Sequence, residues 1–439
     1  MSSNIIVPLA ICLLVWIVAY RSVPPNKYKS TYILLSLLSM LIRMAIVSYL
    51  YENGTDTFGT DGLLYHQEGI RVAQQLAEGI PFYSVEYSYT WYTVFVGIMY
   101  NLFGINRYIV SYINIIFAFF SAILLLKMAL NRKYTYFNAS LISLVFLYFP
   151  NLLLWTADSR KEALLILVCF ICWYTVQHFI MRTAQEKGIA LDNIIRIIFV
   201  CLLIWFCTII RIYMFAPLAA GIILSQLLLY KKSRAGQSIL FAAAVFIGSL
   251  IIFTATVNPL MHDYHAVQFP DKQTDSMAED IGSKMNRIVS IASGRNIIVS
   301  IVNYLVLPYP GDLDIADIEG NSIAEFMENI DMLIWYACML LMATGIYSAF
   351  KQRDSCFKGI LAFIAAYVFI NALVVENVAD TILRYRSVII GASLLFIDCN
   401  VLKSLFNHLD SHIRIKEDIG KPDTVSSLST AAKDSKLSL

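Results

Sequence analysis

Residues 137–181 read FNASLISLVFLYFPNLLLWTADSRKEALLILVCFICWYTVQHFIM. Two apolar runs, 137–156 and 162–181, flank a tight turn that carries Asp158, Arg160, Lys161 and Glu162. Each run has the roughly 20 residues a helix needs to cross a bilayer core. Such runs recur on both sides, at about 4–20, 31–51, 106–128, 193–210, 212–230, 237–256, 329–350, 357–376 and 383–403, making eleven in all. They are too long for the alternating ~10-residue strands of an outer-membrane barrel. The whole chain agrees. Of 439 residues, 58% are hydrophobic and only 15% charged, and mean hydropathy is +0.66. A water-soluble domain carries about 25% charged residues. The composition therefore excludes a soluble enzyme and a disordered protein, and a net charge of +2 excludes a nucleic-acid partner. The expected fold is an all-α polytopic membrane protein.

The eight cysteines all lie in or beside apolar runs. Cys169 and Cys172 have redox-motif spacing but sit mid-run, where they pack rather than react. The first twenty residues lack a basic n-region and a clear cleavage site, and read as a retained first helix.

Basic residues orient the spans. Arg21, Lys27 and Lys29; Arg132 and Lys133; Arg182 and Lys187; Lys231, Lys232 and Arg234; and Lys351, Arg353 and Lys358 fall in alternate loops. Placing them in the cytoplasm puts the N-terminus outside and the C-terminus inside, as an odd number of spans requires. Two long acidic loops, about 52–105 and 257–328, are then external. In the first, IRVAQQLAEGI (70–80) has helical apolar spacing and a glycine stop, and WYTVFVGIMYNLFG (91–104) is apolar but too short to span. Both read as outer juxtamembrane helices. The membrane domain covers 1–404, and the polar stretch 405–439 reads as a disordered cytoplasmic tail.

Polar chemistry clusters at the outer face. Asp61 opens TDGLLYHQEGIRVAQQLAEG (60–79), with Tyr65 and His66 one turn on. A carboxylate there suits a general base toward a hydroxyl, or else a helix N-cap. Arg160 and Lys161, in the turn with Asp158, run against the positive-inside bias. They suit phosphate binding or a snorkelling ion pair. Arg384 and Arg386 flank Tyr385 in VVENVADTILRYRSVII (374–390). They suit phosphate recognition or headgroup anchoring. The long loop adds His262, His265, Lys272, Lys284, Arg287 and Arg295. His262 and His265 lack a third ligand for a metal site. No chain of acidic and histidine residues runs through mid-membrane, as a proton-coupled transporter would need.

Four stretches together resemble the GT-C class of polytopic glycosyltransferases, of bacterial exopolysaccharide or O-antigen type. They are Asp61 with Tyr65 and the helix ending at Gly79, YSYTWYTVFVGIMYNLFG (87–104), FPNLLLWTADSRKE (149–162), and ENVADTILRYR (376–386). No DxD stands in either short outer loop, and two spans rather than one precede the catalytic loop. The resemblance implies a membrane glycosyltransferase in a bacterial inner or plasma membrane. A polyprenyl-phosphate-linked sugar would be the donor and a glycan or lipid-linked hydroxyl the acceptor. Transfer would invert the anomeric centre, with Asp61 as base. Arg384, Arg386, Arg160, Lys161, Tyr65, Asp158 and Arg295 would form the substrate and phosphate site. It leaves open whether a divalent cation (Mg or Mn) takes part, and the residues assign no metal ligand. Two other readings stand beside it. One is a polysaccharide polymerase or O-antigen ligase working through Arg287, Arg295 and the loop histidines; the other is a lipid-linked sugar flippase.

Overall fold

A computed structural model describes residues 3–52, 61–87, 90–183, 191–230, 242–248, 250–251, 297–307, 322–351, 354–374 and 379–397. The expected tail at 405–439 lies outside these residues. So do His262, His265, Lys272, Lys284, Arg287, Arg295 and much of the run 237–256.

The described chain is helical. Its helices are α1 (Ser3–Ser22), α2 (Lys29–Glu52), α3 (Asp61–Ala77), α4 (Trp91–Phe103), α5 (Arg107–Asn131), α6 (Tyr136–Tyr148), α7 (Pro150–Trp155), α8 (Glu162–Thr183), α9 (Leu191–Ile210) and α10 (Phe215–Tyr230). A 3-10 turn, Ile212–Met214, joins the last two. Then come α11 (Ile297–Val306), α12 (Ser322–Lys351), α13 (Ser355–Val374) and α14 (Ala379–Leu394). Five of these, α2, α5, α8, α12 and α13, contain stretches long and apolar enough to cross a membrane. Large apolar side chains on α2, α11 and α12 point away from the protein. Leu34 is 68% exposed, Leu340 78% and Ile298 78%. A water-facing surface would not carry them so densely, and an integral membrane protein needs them.

Local chemistry explains the breaks. The run 137–156 is two helices rather than one. Phe149 is extended and Pro150 starts α7, because proline lacks the N–H that would continue the ladder yet suits a first helical position. Asn106 caps α5 by accepting from the Tyr108 amide at 3.0 Å. Thr135 caps α6 through the Asn138 amide at 3.3 Å.

Side-chain ties set the helix directions. Asn114 of α5 reaches the start of α8, and Asn131 at its end donates to Gln177 at 3.1 Å, so α5 and α8 run parallel. α2 runs parallel to α6 and α7, tied by Tyr32 to Ser143 (2.8 Å), Ser39 to the Leu147 carbonyl (3.0 Å) and Arg43 to Thr156 (3.2 Å). At the far end of α5, Arg132 is buried. It donates to the carbonyls of Leu395 (3.0 Å) and Gly345 (2.9 Å) and stacks 4.1 Å from the Phe357 centroid. This arginine is a clamp between helices as well as a charge in a basic loop.

Small residues bring helices close where hydrophobicity alone does not drive association. On α10 and α13, a Cβ on Gly221 would lie 2.6 Å from the Gly359 carbonyl oxygen, and one on Gly359 would lie 2.6 Å from that of Gly221. Backbone cannot give way as a side chain can. Gly359→Val is therefore expected to cost at least the ~1–3 kcal/mol of an overpacked core, read as a lower unfolding temperature in detergent. An unchanged transition would show that the two helices do not approach this closely.

Candidate functional site

The α7–α8 turn is pinned through its backbone. Asn114 donates from Nδ2 to the carbonyls of Asp158 at 2.6 Å and Arg160 at 2.7 Å. The Tyr92 hydroxyl in turn donates to Asn114 Oδ1 at 3.4 Å. The turn presents two carboxylates, each removed from solvent. Asp158 is 3% exposed and Glu162 0%.

Asp158 is held from three sides. Arg160 Nε donates to Oδ2 at 2.9 Å. The Tyr51 hydroxyl, from the end of α2, donates to Oδ1 at 3.0 Å. Arg107, opening α5, brings Nη2 to 3.8 Å from the same oxygen. Glu162 opens α8, where a carboxylate complements the positive end of the helix. Its Oε1 accepts from Arg384 Nε at 2.6 Å and pairs with Arg211 Nη2. Its Oε2 is buried with no hydrogen-bond partner.

Aromatic faces hold the guanidinium groups in place. Arg160 lies 4.5 Å from the Trp155 ring centroid, with Arg384 5.9 Å from the same ring. Arg211 lies 4.4 Å from that of Tyr385, and Arg107 4.3 Å from that of Tyr51. Lys161 Nζ stands 5.8 Å from the Tyr65 ring and contributes to the field at Glu162. Among the described side chains, five cations therefore gather about two carboxylates. No group of three or more metal-ligand side chains forms among the described residues.

The structure brings together Asp158, Arg160, Lys161, Tyr65 and Arg384 of the expected site. Tyr65 is buried on α3, edge-on to Tyr92 at 5.0 Å. Asp61 begins α3, and its side chain lies outside what is described. Its neighbour Gly62 locates the backbone there. A Cβ at Gly62 would lie 2.9 Å from Asp158 Oδ2 and 3.0 Å from Arg107 Nη2, so the first turn of α3 rests directly on Asp158 and Arg107. Arg295 lies outside the described residues.

Arg386 goes elsewhere. It is buried and donates from Nη2 to the carbonyls of Tyr304 (2.8 Å) and Leu307 (2.5 Å) at the end of α11, with Met332 Sδ at 3.1 Å from Nη1. Residues two apart on a helix point about 200° apart, so Arg384 and Arg386 cannot address one pocket. Sequence reasoning left out Arg107, Arg211 and the anchoring role of Glu162. Arg107 and Arg211 carry the signal that marked Arg160 and Arg384: a basic residue at the outer end of an apolar run.

No family model matches the chain, and no curated protein matches it. Among solved structures it is similar to the archaeal oligosaccharyltransferase AglB from Archaeoglobus fulgidus, in complex with an inhibitory peptide and a dolichol-phosphate. The TM-score is 0.47 at 12% sequence identity, covering 91% of this chain and 53% of that one. The chain thus spans about half the length of that protein.

Proposed function

We propose that the protein is a membrane glycosyltransferase that moves a sugar from a polyprenyl-phosphate donor to an acceptor hydroxyl at the outer face of the membrane, with inversion. The observation that carries this reading is the buried cluster at the α7–α8 turn, rich in guanidinium groups, against which the α3 backbone beginning at Asp61 is packed.

In this reading Asp61 accepts the proton of the acceptor hydroxyl. The hydroxyl oxygen forms a bond to the anomeric carbon while the bond from that carbon to the phosphate oxygen breaks. The electron pair leaves on the phosphate. Phosphate needs charge stabilisation more than protonation, so cations rather than a second carboxylic acid fit the leaving side. Arg384 and Lys161 are the phosphate holders: both are only half-buried at the edge of the cluster, whereas Arg160 and Arg211 are buried within it. Arg160 and Arg211 position Asp158 and Glu162, which keep the cluster assembled without ligand.

The test is transfer by purified protein in liposomes supplied with a radiolabelled polyprenyl-phosphate sugar and candidate acceptors. The expected result is a new glycoside with inverted anomeric configuration. Movement of intact donor across the bilayer with no glycoside formed would replace this reading with a flippase.

A further inference from the structure

A second site lies away from the carboxylate cluster. An apolar cavity of about 480 Å³ opens between α11, α12, α13 and α14, lined by Leu305, Trp335, Met339, Ile364, Val368 and Ile389 among others. One end is polar. Trp335, Met339 and Met342 form a stripe along α12, and Asp331 is the preceding rung, four residues before Trp335 on the same face. On α14, Ile389 and Ser393 line the cavity, and Arg386 is the preceding rung. On α11, Tyr304 adjoins Leu305. These three polar residues thus converge on one end, and Asp331 and Tyr304 stand close enough to Arg386 to influence its charge. The Arg386 guanidinium lies 5.3 Å from the Trp335 ring centroid.

Each carries a buried atom with no hydrogen-bond partner among the described residues: Arg386 Nε, Asp331 Oδ2 and the Tyr304 hydroxyl. Ser393 Oγ on the cavity wall and Asn151 Oδ1 beside Asp331 are likewise without one. The last carbonyls of α11 accept from Arg386 (Tyr304 and Leu307), Trp335 Nε1 (Leu305, 2.8 Å) and the Tyr336 hydroxyl (Val306, 2.5 Å). Asp331 Oδ1 accepts the Asn151 amide at 2.7 Å. Three orphans just beyond one end of an apolar slot, beside helix-end carbonyls that are paired, call for a ligand.

We propose that this cavity binds a neutral long-chain lipid alcohol of the diacylglycerol kind, its chain in the slot and its hydroxyl between Arg386 and Asp331. The charges decide the head. Arg386 and Asp331 cancel formally, and the Nη groups of Arg386 are committed to carbonyls and a thioether. A phosphate would find one N–H and face a carboxylate. A hydroxyl accepts from Arg386 Nε and donates to Asp331 Oδ2, and the Tyr304 hydroxyl supplies a further partner. This site is independent of the transfer reading.

The test uses a diazirine-bearing dioleoylglycerol in phosphatidylcholine proteoliposomes, photolysed and mapped by peptide mass spectrometry. Label is expected on α12 and α13 around Met339, Ile364 and Val368. Unlabelled dioleoylglycerol should displace it, and equal amounts of dioleoyl phosphatidic acid or polyprenyl phosphate should not. Ala365→Trp, at an exposed lining position where the fold tolerates bulk, should cut labelling about tenfold, equivalent to ~1.4 kcal/mol. Label confined to other helices, labelling unchanged by Ala365→Trp, or equal displacement by the phosphate-bearing lipids overturns the proposal.

Discussion

Glu162→Ala is expected to destabilise the protein by about 3–5 kcal/mol, the cost of removing one partner from a buried ion pair. Glu162 is fully buried, and its Oε1 serves two guanidinium groups, Arg211 and Arg384. Deleting it removes the carboxylate that both cations share at the end of an apolar bundle. Glu162→Gln keeps the shape and an acceptor oxygen while losing the charge, so its cost should be smaller. The effect should not add to that of Arg211→Gln, because the two residues share one contact. Unfolding of the purified protein in detergent micelles, followed for the two single variants and the double, measures this. A Glu162→Ala change within about 0.5 kcal/mol of wild type, the range of an ordinary surface substitution, would show that Glu162 does not hold these cations together.

Asp61→Asn carries the largest expected effect on activity. Under the proposed mechanism it removes the proton acceptor and should slow transfer by about 10²–10⁴-fold. The loss should fall on kcat, with KM for the lipid donor little changed, since the base acts in the transition state. Arg384→Gln should show the complementary pattern, a raised KM for the donor, because it weakens the hold on phosphate in both ground and transition states. Labelled donor turnover in liposomes separates the two. Transfer retained in full by Asp61→Asn would remove that residue from the chemistry and leave the carboxylates of the α7–α8 turn to be tested next.

Much of the candidate site was legible because membranes penalise charge. Arg160 and Arg384 stood out in the sequence as basic residues where the charge bias disfavours them. The structure joins them to the two acidic residues of the same short turn, Asp158 and Glu162. Arg107 and Arg211 obey the same logic but stand singly, one at the start of an apolar run and one between two runs, where a lone charge reads as a helix boundary. Asp331 escaped notice because its hydrogen-bond partner, the Asn151 amide on α7, lies 180 residues away in the chain. The helical interruption at Phe149–Pro150 was readable from proline chemistry. The Gly221–Gly359 approach was not, since one glycine in a long apolar run has no visible partner.

The sequence by itself determined the helical, membrane-embedded character of the chain. Long uncharged runs leave the backbone only its own hydrogen bonds to make, and that constraint acts on each segment without reference to the others. It also determined which residues carry charge close to the ends of the runs. Only the tertiary structure decided which of those charges meet. It sends Arg384 to Glu162 and Arg386 to the end of α11, although one residue separates them, because neighbouring helices receive opposite faces of α14. Partnership between charges depends on helix rotation and on contacts across more than two hundred residues of chain, and no local pattern encodes either.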